Sequence, residues 1–426
     1  MHRDFRGLAG MMACVATLGA CSEDLGSGAA CPALCPEQSA AVRDTTLFPL
    51  LLDSGVVGFP PIGAELELLV AQRGDSLQAL AVLRYDTLVT LFPKTSTDTT
   101  TRPIVSVDTA SLLLQVSGKI AKDSVTIEIY DVDTAAGNLD ADAARPLFRP
   151  DRLLASRTFA SDSISGTLRI TLPAAFVDSR VTTKGRIRLG VKATSDSSVQ
   201  VRFFSSNGGA SPVLTYRGRS ARDTPSARDT AVFAVAVNSV SSAPGEASSA
   251  DLADYSLISS SLEPAPPATF SVGGLPGSRA FLRFSLPSAI VDSATVVRAT
   301  LILTQAPYRG VAQSDTVLVI SRFVVAASFV ETGKAALLLA DPRSVLLPTL
   351  ALVPADSGVR RFEIVNAVRR WRLEDSTLTQ RAIVLQSSGE GVLPQIVYFF
   401  SSEAPADSLR PQLRLSYVRR SSSGLP

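Results

Sequence analysis

VRFFSSNGGASPVLTY, residues 201–216, returns near the end of the chain as VYFFSSEAPADSLRPQLRLSY, residues 397–417. Both run from a phenylalanine pair through two serines and a polar loop to a proline. Both then enter a short alternating stretch that ends in tyrosine. Reading backwards from these two points, other landmarks recur in the same order. RDTTLFPLLLDS (43–54) matches RDTAVFAVAVNS (228–239), and VLRYDTL (82–88) matches FLRFSLP (281–287). VDTASLLLQV from Val107 matches VVRATLILTQ from Val296, and DSVTIEIYDV from Asp123 matches SDTVLVISRFV from Ser314. GTLRITLPAAFV from Gly166 matches GVRRFEIVNAVRRW from Gly358, and GRIRLGVKA from Gly185 matches QRAIVLQSS from Gln380. Ordered recurrence at a near-constant offset marks a duplicated unit. One pair departs from this register: LPAAFVDS (172–179) resembles LPSAIVDS (286–293) and reads as a local device, a proline opening a short turn or helix after a strand.

Within each copy, apolar and polar residues trade places with period two, as in LILTQ (301–305), TVLVISRF (316–323) and LRLSY (413–417). Strands with one buried face require that pattern. Pro and Gly punctuate the whole length, which favours many short strands over long helices. IVNAVRRWRLED breaks the rule, because Ile364, Val368 and Trp371 share one helical face. The expected fold is therefore all-β: two tandem, jelly-roll-like antiparallel β-sandwiches, each with one short helix. The expected boundaries are residues 43–217 for the first repeat, 218–227 for a linker, 228–419 for the second repeat and 420–426 for a flexible tail.

The N-terminus is a different kind of text. Arg3 and Arg6 precede an apolar run from Leu8 to Leu18 that is too short to span a bilayer. The run ends Leu18-Gly19-Ala20-Cys21, which resembles the lipobox of bacterial lipoproteins. That resemblance implies a signal peptide over residues 1–20, acylation of Cys21, and a tether over 21–42. The expected partner is a membrane, reached through the lipid. Ser22-Glu23-Asp24 after the anchor resembles the surface-export signals of some Gram-negative lipoproteins and points to the outer membrane. The most apolar later stretch, AALLLADPRSVLLPTLALVP, is broken by Asp341, Pro342, Arg343 and Pro348.

In an oxidising compartment Cys31 and Cys35, spaced C-P-A-L-C, are expected to form a small disulfide. The alternative, a copper or redox site, normally recruits histidine or methionine. The single histidine, His2, leaves with the signal peptide. The mature chain then cannot build a Ser-His-Asp triad or a histidine-ligated zinc site, so an enzyme is not expected. A pair of carboxylates acting on polysaccharide is the remaining catalytic alternative. The net charge of +2 lacks a basic stripe, and nucleic acid is not an expected partner.

At this point four stretches of the second repeat carry a resemblance: SRAFLRFSLP, VVRATLILTQ, FEIVNAVRRWRLED and YFFSSEAPADSLRPQLRLSY. In that order they resemble the DNRLRE family, disaggregatase-related and carbohydrate-binding-module-like β-sandwiches of bacterial surface proteins. The matching positions are Leu282-Arg283-Phe284, Val368 and Trp371, Phe400-Ser401-Ser402-Glu403, and Pro411. The first repeat keeps Leu83-Arg84-Tyr85 and Phe204-Ser205-Ser206 but has Asn207 for Glu403 and no tryptophan. The resemblance implies an exported, non-catalytic module that binds polysaccharide. The alternative is a structural or adhesive lipoprotein that contacts other envelope proteins.

Individual residues carry further expectations. Trp371 is expected in the core, and of each phenylalanine pair one ring must face outward unless covered. Glu403 is expected to cap a turn or pair with Arg410. The run IYDVDTAAGNLDADAA brings Asp131, Asp133, Asn138, Asp140 and Asp142 close in sequence. Such oxygen ligands could take Ca²⁺, although the spacing is not that of an EF-hand; a solvated acidic loop is the simpler expectation. No other cofactor is implied.

Overall fold

The computed structural model describes residues 42–48, 50–93, 101–134, 141–220, 230–239, 252–261, 265–308, 316–324, 349–373 and 381–419. By its internal contacts the chain divides into Met1–Val42 and Arg43–Pro426; apart from Val42, the described strands lie in the second unit. Cys21, Cys31, Cys35, Asn138 and Asp140 lie outside the described residues. Among the described residues, no helix is long and apolar enough to cross a membrane.

The alternating stretches form strands. The first repeat supplies β3 (Glu67–Arg73), β4 (Leu77–Tyr85), β5 (Ile104–Ala121), β6 (Val125–Asp131) and β7 (Leu153–Phe159). It continues with β8 (Thr167–Leu172), β9 (Ile187–Thr194), β10 (Val199–Phe204) and β11 (Val213–Ser220). The second supplies β14 (Thr269–Gly273), β15 (Gly277–Phe284), β16 (Ala294–Ala306), β17 (Val317–Phe323) and β18 (Leu350–Leu352). It closes with β19 (Gly358–Glu363), β20 (Ala382–Ser387), β21 (Ile396–Phe400) and β22 (Gln412–Arg419). Ahead of each set lie two more strands: β1 (Val42–Leu47) and β2 (Leu50–Phe59), then β12 (Thr230–Ala236) and β13 (Asp254–Ser260).

These strands build two eleven-stranded antiparallel sheets with one topology. One runs β12-β11-β5-β10-β3-β4-β9-β6-β7, with β13 on β4 and β8 on β5. The other runs β1-β22-β16-β21-β14-β15-β20-β17-β18, with β2 on β15 and β19 on β16. The duplication seen in sequence is thus a duplication of topology. Each sheet folds around its own core as a sandwich. One core gathers residues such as Leu83, Leu112, Ile127, Leu189 and Phe203; the other gathers Leu282, Leu301, Val319, Leu385 and Phe399. The long β5 serves both layers: Ala110–Leu113 lies between β8 and β11, and its end pairs with β10.

The two leading strands of each repeat sit in the other repeat's sheet. β2 pairs with β15 from Phe59↔Gly277 to Leu50↔Phe284, and β13 pairs with β4 from Asp254↔Leu83 to Ser260↔Leu77. β12 lies along β11 and sends Phe233 and Val235 into the first core. β11 runs on to Ser220, so the expected boundary at 217 falls inside a strand and the expected linker 218–227 begins in it, while the sheets trade strands across the join. Polar contacts fasten the exchange. Gly63 N–H donates to Glu65 Oε2 at 2.6 Å, and Ser256 N–H of β13 donates to Oε1 at 3.3 Å. Ser206 N–H donates to Asp254 Oδ2 at 2.7 Å. Leu69, Ala71 and Ala79 of one sandwich pack with Leu275 and Val392 of the other, and Gln200 Nε2 donates to the Val392 carbonyl at 2.7 Å.

Each sandwich carries the expected helix, Ala174–Thr182 after β8 and Val365–Leu373 after β19. The glycines that open these two strands, Gly166 and Gly358, both hold positive φ, at 60° and 112°. Only glycine adopts such angles freely, which explains its return at this place. One-turn helices at Ala141–Ala144 and Ser288–Val291 are additional. Pro173 and Pro287 stand one residue before their helices, so the shared LP-x-A device is local, as its odd register suggested.

Candidate functional site

On β16, residues 298, 300 and 302 point to the face away from the core, because Ala299, Leu301 and Leu303 are buried in it. Register then sets their neighbours. Thr300 lies opposite Glu363 of β19 and Arg414 of β22; Ile302 lies opposite Arg361 and Gln412; Arg298 lies opposite Ser416. The exchanged strand β1 closes the row, with Ser416 Oγ donating to Asp44 Oδ1 at 2.5 Å. The result is a groove of about 290 Å³ lined by Asp44, Arg298, Thr300, Ile302, Arg361, Arg414 and Ser416. Its occupants differ in freedom. Arg298 pairs with Glu363 at 3.3 Å, and Thr300 Oγ1 donates to the same carboxylate at 3.1 Å. Arg361 and Arg414 are exposed and have no ion pair or side-chain hydrogen bond among the described residues. Three guanidinium groups face two carboxylates, so the groove is cationic. Alternation alone marked these arginines as outward-facing; nothing in sequence order placed them together.

The residues singled out in the sequence go elsewhere. Trp371 is 3% exposed and packs on Phe284 with ring centroids 5.4 Å apart; Ile364 and Val368 are buried with it. Phe203 and Phe399 fill the two cores, whereas Phe400 packs outside its core against the group holding Tyr308 and Tyr398. The FFSS repeat ends a strand and starts a turn. Ser205 Oγ accepts from Asn207 N–H at 3.2 Å, and Ser401 Oγ accepts from Glu403 N–H at 3.1 Å. The turn is thus capped by serine, and Arg410 pairs with Asp407 at 2.8 Å and donates to the Ala404 carbonyl at 2.7 Å, not to Glu403. Arg410 bonds within its own short loop because Asp407 stands three residues before it.

Asp131 and Asp133 come together, but with arginines around them. Arg186 Nε donates to Asp133 Oδ1 at 2.9 Å, Arg180 lies 3.5 Å from Asp131 and 3.6 Å from Asp133, and Arg188 lies 3.9 Å from Asp133. Arg152 donates to both backbone carbonyls at 3.0 Å. Asp142 belongs to the one-turn helix Ala141–Ala144. Among the described residues, no three His, Cys, Asp or Glu side chains converge as a metal site.

Buried carboxyls form a further cluster that the sequence did not mark. Glu65 and Asp254 are 6% and 1% exposed. Burial pushes the Glu65 carboxyl up to about 7, and Asp254 adds to this; hydrogen bonds from Gly63 and Ser256 oppose it. Burial likewise raises Asp254, against the hydrogen bonds from Ser206. These groups are closed into the strand-exchange seam.

No family model matches the chain, and no curated protein matches it. Among solved structures, the N-terminal CBM22-1–CBM22-2 tandem of Paenibacillus barcinonensis Xyn10C is 9% identical and covers 88% of this chain and 98% of its own, with a TM-score of 0.15. The infectious bursal disease virus VP2 subviral particle is 9% identical, covers 89% and 76%, and has a TM-score of 0.14. Scores this low tie the chain to neither.

Proposed function

We propose that the chain is an exported, lipid-anchored envelope protein whose second repeat presents a non-catalytic polysaccharide-binding face. The groove across β1, β22, β16 and β19 supports this reading. It is open, built on paired strands, and lined by hydroxyl, guanidinium and carboxylate groups around a single apolar side chain, Ile302. A few fixed polar groups on a concave surface are what recognition of a hydroxyl-rich chain requires. The DNRLRE-like motifs support the same class of role. The lipobox-like LGAC and the acidic pair behind it support anchoring through Cys21 at the outer membrane.

The test uses the full-length chain in detergent and a broad panel of soluble polysaccharides. Saturable binding is expected, and Ile302→Trp, which fills the groove from an outward-facing position, should abolish it without lowering the melting temperature. Absence of binding across the panel would favour the structural or adhesive reading. In cells, Cys21→Ala should leave the detergent-soluble membrane fraction or stop processing; unchanged fractionation would remove Cys21 as the anchor.

A further inference from the structure

We infer that the groove grips acid groups on its glycan, carboxylate or sulfate, through Arg361 and Arg414; this rests on the polysaccharide-binding reading above. The groove holds no aromatic platform for a neutral sugar ring, since its lining contains neither indole nor phenol. The chain's one tryptophan is in the core. What the groove offers instead is guanidinium, a permanently charged planar fork whose donors match the paired oxygens of an oxoanion.

The charges are already sorted. Glu363 holds Arg298, and Ser416 holds the Asp44 carboxylate. Arg361 and Arg414 keep their donors free of ion pairs among the described residues and open to solvent. They flank β16 on opposite sides, one residue pair out of step, which sets their Cα atoms about 12 Å apart from strand spacing and rise. Two forks at that separation suit a polymer with repeated acid groups better than one small anion. The corresponding face of the other sheet differs. There Thr215 stands opposite Ser111 as Arg414 stands opposite Thr300, and Thr109 takes the place of Arg298. Arg169, opposite Leu113, keeps the place of Arg361. Arg217, opposite Thr109, shares that face but donates to Thr230 Oγ1 at 3.3 Å, so the first repeat has no arginine at the place of Arg414.

The experiment is a calorimetric titration of the full-length chain with polygalacturonate, its carboxyl-reduced form, dextran sulfate and dextran. At least one acid-bearing polymer should bind about tenfold or more tightly than its neutral counterpart, and more weakly as salt rises. Arg361→Gln and Arg414→Gln should each weaken that binding about tenfold, as loss of a hydrogen bond to a charged group does. Arg414→Lys should restore part of it, because ammonium keeps the charge without the fork. Arg169→Gln should change it less than about twofold, as distant exposed charges do. The carboxylate and sulfate arms identify the acid. Equal binding of acid and neutral forms would overturn this inference and leave the glycan-binding reading standing. Silence from all four polymers and from the broad panel would overturn both. Acid-dependent binding that ignores both glutamine variants, or that Arg169→Gln weakens equally, would overturn the assignment to this groove.

Discussion

Glu65 shows how one side chain can make a seam sensitive to pH. Its carboxyl is buried, accepts backbone N–H groups from Gly63 and from Ser256 of the exchanged β13, and has its pKa raised from 4.5 to about 7. A raised folded-state value means that the stabilising contribution is fully present below 4.5 and is lost as pH rises through about 7. The shift corresponds to roughly 3 kcal/mol. Urea denaturation should therefore find the chain more stable near pH 5 than near pH 8, and Glu65→Gln should flatten the slope between about 4.5 and about 7. An unchanged slope in the variant would assign the pH dependence to another group. Asp254, raised by the same burial, is the next candidate.

At the scale of elements, the helix Val365–Leu373 works as a lid on the second core. Ala367, Val368 and Trp371 are buried along one face, and Arg369 Nε donates to the Val296 carbonyl at 3.0 Å, which ties the outer side to β16. The helix Ala174–Thr182 does the same with Val177 and Val181, and Asp178 Oδ1 accepts from Val107 N–H of β5 at 2.7 Å. Tryptophan packs in only one of the two lids, so that lid depends more on one residue. Trp371→Ala should cost about 3–5 kcal/mol in chemical denaturation, as truncation of core aromatics does. A loss below about 1 kcal/mol would show that the indole contributes little to packing. The serine-capped turns after β10 and β21 belong to this scale too: each follows a last strand residue, Phe204 or Phe400, that faces away from the core because its neighbour Phe203 or Phe399 faces in.

Across the whole molecule, the exchange of β1 and β2 for β12 and β13 makes the two sandwiches interdependent. Residues 43–217 contain no β12, so the places of Phe233 and Val235 in the first core would be empty, and β4 would lose β13. Residues 61–261 contain every strand of that sheet. The prediction is that 61–261 folds alone with a cooperative melt, whereas 43–217 and 228–419 do not. Mixed, the two failing halves should recover a 1:1 complex, since each carries the strands the other lacks. A cooperative, parent-like melt from isolated 43–217 would mean that its leading strands can close their own sheet.

Local patterning determined much of this in advance. Period-two alternation specified strands, and Ile364, Val368 and Trp371 at helical spacing specified a buried helix, because both follow from which face must leave water. The recurrence of FFSS and of Gly166 as Gly358 specified two copies of one topology, since the same turns need the same residues. Tertiary structure alone decided which copy each strand joins. A strand's pattern says that it needs a partner, but many partners satisfy the same hydrogen bonds. It alone assembled Arg298, Arg361 and Arg414, which lie on three strands and meet only through cross-strand register, with Asp44 brought in by an exchanged strand. Asp131 and Asp133 illustrate the converse: closeness in sequence left a solvated acidic loop and an oxygen-ligand site as readings, and only tertiary structure brought Arg180, Arg186 and Arg188, some fifty residues away along the chain, beside them.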